Sequence, residues 1–159
     1  MLLLIFTSND KLISTNKIIN PLYKIKKLTK QPLQQNNNIV IPKIKLNEKF
    51  ILGNKKMTPL NHILMAPYGN KPHEKNSNVI LMAHSGNKKI SYFKNLKLLQ
   101  INDIIYLNYQ QKQYTYIVTN KKIIHPKKIE TLNNKNINTL TLITCYKKQR
   151  LLIISELKK

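Results

Sequence analysis

Near the end of the chain, two runs suited to β-strands, 137–143 and 151–154, flank a four-residue polar link, Tyr146-Lys147-Lys148-Gln149. Apolar and β-branched runs joined by so short a link fold back on each other as a hairpin. That hairpin sets Cys145 opposite Arg150. Directly opposed residues of an antiparallel pair project from the same face, with Cβ atoms about 4.5–5.5 Å apart. These two are the only cysteine and the only arginine in 159 residues. A nearby cation favours thiolate over thiol, and the thiolate is the nucleophile. Of the 28 basic residues all but Arg150 are lysine, which marks out the one guanidinium for its planar fork of donors rather than its charge. The competing reading makes Cys145 a buried strand residue, as free cysteines commonly are, and Arg150 an ordinary flanking charge.

A cysteine nucleophile needs an imidazole close in space, not in sequence. Four histidines are available: His62, His73, His84 and His125. His84 ends the apolar run Val79-Ile80-Leu81-Met82-Ala83 and is followed at once by Ser85-Gly86-Asn87. A reactive side chain where a buried strand gives way to a small-residue turn is held rigidly and remains open to substrate. His62 precedes a shorter apolar run, while His73 and His125 adjoin Pro72 and Pro126 and read as loop residues.

Strand signals recur along the chain at 40–46, 50–52, Ile63–Met65, 79–84, Ile104–Tyr109, 114–119, 137–145 and 150–156, all rich in Ile, Val, Leu, Tyr or Thr. Residues 108–112 read as the turn of a hairpin. Apolar residues at 90, 93, 96 and 99 have a helix-like spacing. Repeated helix-strand units are absent, and the chain shows no internal repeat. At 159 residues and 42% apolar content, it is long enough to bury one core.

Thr-Leu-Ile-Thr-Cys at 141–145 with Arg150 just beyond resembles the signature of sortases, the cysteine transpeptidases of bacterial surfaces. Val79-Ile80-Leu81-Met82-Ala83-His84-Ser85 resembles the family's strand into its catalytic histidine, although Ala83 stands where glycine is common. Phe93-Lys94-Asn95-Leu96 and Ile101-Asn102-Asp103-Ile104 resemble the stretch that follows. There Asn102 replaces the usual glycine, and asparagine is among the residues that best tolerate a positive φ. Ile41-Pro42-Lys43-Ile44 resembles the family's first strand, so the likeness runs from about 39 to 157 in the same order.

The resemblance implies a mostly-β fold, a closed eight-stranded β-barrel with one or two short helices. It further implies catalysis by Cys145, His84 and Arg150, with Thr144 bordering the substrate's path and no cofactor. The substrates would be surface proteins bearing a C-terminal sorting signal similar to Leu-Pro-x-Thr-Gly. An amine acceptor, either a wall precursor or a pilin lysine, would complete the reaction. The place implied is the extracytoplasmic face of a bacterial membrane. A cysteine hydrolase would use the same residues with water, and a basic module without catalysis would not depend on Cys145.

Residues 1–38 read differently from 39–159. Gln34-Gln35-Asn36-Asn37-Asn38 is a polar low-complexity tract behind Lys24, Lys26, Lys27 and Lys30, which reads as a flexible basic stalk. The apolar start, Met1 to Phe6, is six residues long, against about 20 for a spanning helix. We read it as the remnant of an anchor, because lysines suit an anionic membrane surface. The formal charge of +22 and pI near 10.1 also fit nucleic-acid binding. Against that, the lysines are scattered and arginine, the preferred base-reading residue, occurs once. No nucleic-acid partner is expected; anionic phospholipid or wall polymers are. One cysteine rules out an internal disulfide and a multi-cysteine zinc site, and no metal motif is present.

Overall fold

A computed structural model describes residues 37–54, 56, 58–59, 61–86, 90–131 and 137–159. Of the stalk and apolar start expected over 1–38, residues 1–36 lie outside the described residues, while Asn37 is buried and Asn38 already opens the first strand. Eight strands carry the fold: β1 (Asn38–Ile41), β2 (Leu46–Leu52), β3 (Ile63–Met65), β4 (Asn78–Met82), β5 (Ile104–Tyr109), β6 (Lys112–Ile124), β7 (Thr139–Tyr146) and β8 (Gln149–Leu157). They close into a barrel in the order β1-β2-β3-β4-β7-β8-β6-β5. The eight-stranded barrel is therefore present. Among the described residues its helical content is three 3-10 segments, Pro42–Ile44, Leu96–Leu98 and Pro126–Thr131.

Two local expectations need correcting. The run 40–46 is not one strand, because the chain turns at Pro42, which has a fixed φ and no N–H to give a ladder. A 3-10 turn fills the corner, Lys45 adopts φ 52, and Ile41 pairs back with Leu46. The helix-like spacing at 90–99 does not form an α-helix either. A repeat of three matches the three-residue period of the 3-10 helix. The segment runs through turns into Leu96–Leu98, burying Phe93, Leu96 and Leu99 and leaving Ile90 exposed.

Alternation sorts the wall residues onto two sides. Ile39, Ile41, Val79, Leu81, Leu140, Leu142, Leu151 and Ile153 fill the main core. Each such side chain stabilises the fold by about 1.5–3 kcal/mol when fully buried. β7 is buried on both sides as far as Thr144, which is why its sequence is nearly continuously apolar or threonine rather than alternating. It runs parallel to β4 and antiparallel to β8, and so lies between them. β6 continues well beyond the expected 114–119 and shifts register between Val118 and Asn120. That bulge reverses the alternation, so Lys121 turns inward opposite Ile153 and Ile124 outward opposite Arg150. Exposed at the end of the barrel, the Lys121 ammonium donates to the carbonyls of Lys97 and Leu99, the latter at 3.2 Å.

Candidate active site

β4 and β7 end side by side. The last pair of their ladder is Met82 with Ile143. Beyond it the Ala83 N–H donates to the Ile143 carbonyl at 3.3 Å, and the Thr144 hydroxyl donates to the Ala83 carbonyl at 2.7 Å. The alignment thus outlasts the strand and brings His84 alongside Cys145. Two further bonds tie down the chain at His84 and at the residue that follows it. Ser85 Oγ donates to the Cys145 carbonyl, and the Phe93 N–H donates to the His84 carbonyl at 2.9 Å. On the other flank, β7 and β8 pair Cys145 directly with Arg150 across a turn of only Lys147 and Lys148.

The same alternation decides which way these side chains point. Ala83, Leu142 and Leu151 belong to the main core. Their alternates Ile80, Ile143 and Leu152 form a second cluster with Ala66 on the outer side of the wall, and Met82 and Ile124 pack against it. His84, Cys145 and Arg150 continue that outer series. All three stand at one end of an apolar floor, with Cys145 exposed and His84 and Arg150 half-buried. The Arg150 guanidinium donates to the Gln149 carbonyl at 3.2 Å, which holds it along its own strand. At the far end of the floor the Asn78 side-chain oxygen accepts from Thr139 and Thr141 at 3.1 and 3.0 Å, fixing the β4–β7 pair where it begins.

Tyr68 borders the floor and gave no signal in the sequence. Its hydroxyl meets Met82 Sδ at 3.2 Å, and burial pushes its pKa above the ordinary tyrosine value. It is held there because Gly69 lies against β4. A Cβ on Gly69 would come within 3.0 Å of the Asn78 carbonyl oxygen.

Thr144 is buried on the inner side, its hydroxyl donated to Ala83. There, with Phe93 and Leu151, it lines a cleft of about 220 Å³ that reaches Cys145 and is rimmed by Lys94, Lys97 and Lys147. The remaining histidines are placed elsewhere. His62 is exposed and lines a groove with Glu48 and Tyr92, and His73 stacks on Tyr109 at 6.1 Å. His125 Nδ1 accepts from the Lys127 N–H at 3.3 Å. Among the described residues no group of three or more His, Cys, Asp or Glu side chains is placed to hold a metal ion.

The model of the Sortase domain matches residues 39–158. The chain belongs to the sortase family. Sortases are cysteine transpeptidases that act at the bacterial cell surface, and the barrel described above is the sortase fold. Sortase A from Corynebacterium diphtheriae is similar over 87% of this chain and 68% of its own, at 21% identity and a TM-score of 0.72. Sortase C1 of Streptococcus agalactiae, solved in complex with MTSET, is similar over 79% and 69%, at 22% identity and a TM-score of 0.71. Streptococcus pneumoniae sortase C is similar over 81% and 69%, at 20% identity and 0.68. Among curated proteins, none matches this sortase.

Proposed function

We propose that this sortase cleaves a Leu-Pro-x-Thr-Gly-like sorting signal after the threonine and joins the new carboxyl end to an amine. The observation that carries the reading is the alignment of His84, Cys145 and Arg150 on one outer face above an apolar floor. The floor offers the leucine and proline of a signal somewhere to bury surface. Arg150 lies directly across the ladder from Cys145, whose thiolate is the nucleophile. The thiolate attacks the threonine carbonyl, and the guanidinium supplies donors to the developing oxyanion or the substrate backbone. His84 as imidazolium protonates the leaving amine as the C–N bond breaks, which leaves a thioester on Cys145. The acceptor amine then attacks that carbonyl with His84 as base.

Residues 1–36 serve, in this proposal, as a basic stalk that keeps the enzyme at an anionic membrane surface on the extracytoplasmic side. Among the described residues no helix is long and apolar enough to cross a membrane.

The test is a sorting-signal peptide incubated with the enzyme, with and without an amine nucleophile, followed by mass spectrometry of protein and products. The expected result is an acyl-enzyme on Cys145 and a product that changes from acid to amide when the amine is added. Cys145→Ala should form neither. Turnover retained in that variant would overturn the cysteine mechanism, and acid as the sole product at every amine concentration would make the protein a hydrolase.

A further inference from the structure

Cys145 stands on a rim between two surfaces of opposite character. Outward lies the apolar floor of Ile80, Ile143 and Leu152. Inward, over the end of the barrel, lies the 220 Å³ cleft, whose lining includes three ammonium groups, Lys94, Lys97 and Lys147, and no carboxylate. Its floor, Phe93, Thr144 and Leu151, is buried and fixed in place by the Phe93–His84 and Thr144–Ala83 hydrogen bonds. Lys94 and Lys97 come from the segment between β4 and β5 and Lys147 from the β7–β8 turn, so the fold brings two distant stretches of chain to one rim. Lys121, anchored on the Lys97 and Leu99 carbonyls, adds a fourth positive charge behind Lys97.

A thioester on Cys145 can be resolved from this inner side. The amine nitrogen bonds to the carbonyl carbon, the carbon–sulfur bond breaks, and sulfur departs as thiolate with the bonding pair. The amine's proton passes to His84. Only an unprotonated amine can do this. Like charges nearby disfavour the ammonium form, so the lysines raise the reactive fraction of an amine in the cleft while repelling acceptors that are cationic overall. An acceptor that enters readily must bring compensating negative charge.

Resting on the transpeptidase reading above, we propose that the cleft rimmed by Lys94, Lys97 and Lys147 is the acceptor site. The acceptor it selects is an amine on a molecule that also carries carboxylate or phosphate groups.

The experiment compares amide-capped glycine acceptors that differ in charge alone: Gly-Gly-Asn-Asn, Gly-Gly-Asp-Asp, and Gly-Gly-phosphoserine-Asn. Rates of amide formation are measured in low and high salt for the parent and for Lys94→Gln/Lys97→Gln/Lys147→Gln. Exposed charge pairs are individually weak, so three together favour the anionic acceptors by about tenfold in low salt. The preference should shrink in high salt and largely vanish in the triple variant. The relative rates of the Asp and phosphoserine peptides show which anion is preferred. Equal rates for neutral and anionic acceptors, or a preference that survives the triple substitution, overturn the proposal.

Alkylation of Cys145 provides a readout that does not depend on transpeptidation. The rate ratio of iodoacetate to iodoacetamide should fall several-fold in the triple variant, because Arg150 is retained and only the cleft has changed. An unchanged ratio counts against the cleft even if peptide is turned over. If the ratio falls but no acyl-enzyme forms, the cleft attracts anions and it is the transpeptidase reading that fails.

Discussion

A guanidinium and an ammonium carry the same charge but not the same set of donors, and Arg150 tests the difference. It lies directly across the ladder from Cys145, where a planar fork can direct hydrogen bonds that a point charge copies poorly. Losing one oxyanion donor costs about 10²–10³ in turnover. Arg150→Lys should lose a large part of that with its melting temperature unchanged, and Arg150→Ala should lose more. Both should still react with a small thiol reagent. Transpeptidation rates beside thermal melts decide the matter; an Arg150→Lys enzyme as active as the parent reduces the site to Cys145 and His84. Thr144 acts through the backbone instead. Thr144→Val strands the buried Ala83 carbonyl, at a cost of about 1–3 kcal/mol in stability, and loosens the strand end that carries His84. Thr144→Ser keeps the bond, so it should recover most of the lost turnover as well as the lost stability.

At the scale of elements, the β5–β6 hairpin is strained by its own sequence. Tyr109 pairs with Lys112 across a two-residue turn in which Gln110 and Gln111 both have positive φ, 48° and 65°. Such turns take Asn-Gly, because a side chain in this region meets the following carbonyl. Gln110→Asn with Gln111→Gly should stabilise the protein by about 0.5–1 kcal/mol, raising the melting temperature by a few degrees. Transpeptidation should be unaffected, since this turn opens β6 while Ile124, at its other end, faces Arg150. A lower melting temperature would show that the glutamines are held by contacts worth more than the strain. Asn102 is a milder case, with φ 74 where asparagine is well tolerated.

At the scale of the whole molecule, two buried hydroxyls among the described residues lack a hydrogen-bond partner, those of Ser77 and Tyr116, and the tyrosine's lies in the barrel core. The Tyr116 side chain is fully buried in the core, and its hydroxyl has no hydrogen-bond partner. Removing an unsatisfied buried hydroxyl relieves a desolvation cost of about 1–3 kcal/mol, so Tyr116→Phe should raise the denaturant midpoint. Burial, with Tyr114 as a lesser cause, pushes the Tyr116 pKa well above its ordinary 10.0. A pKa raised in the folded state means stability that is complete below about pH 10 and lost above it, where the unfolded tyrosine ionises and the buried one does not. Unfolding free energy measured from pH 9 to 11 should fall less steeply for Tyr116→Phe than for the parent. Equal slopes would mean that Tyr116 ionises alike in both states.

The strands, and the Cys145–Arg150 pairing, were legible because each is a local matter. Alternation marks a strand within a few residues, and a short polar link forces the two flanking runs to pair. The motif order pointed to His84 as the partner of Cys145, but through resemblance and not through geometry. Other features were hidden. The Pro42 corner and the 3-10 turns at 90–99 differ from expectation because apolar spacing says which side chains are buried, not which turn buries them. Tyr68, the Lys94–Lys97–Lys147 cleft and the inward turn of Thr144 left no local trace. They exist only because β7 inserts between β4 and β8, joining residues some 61 positions apart, as in the Thr144–Ala83 bond. A period of two assigns residues to two faces without saying which face is the core. Only closure of the barrel decides that, and with it the side from which Cys145 meets its substrates.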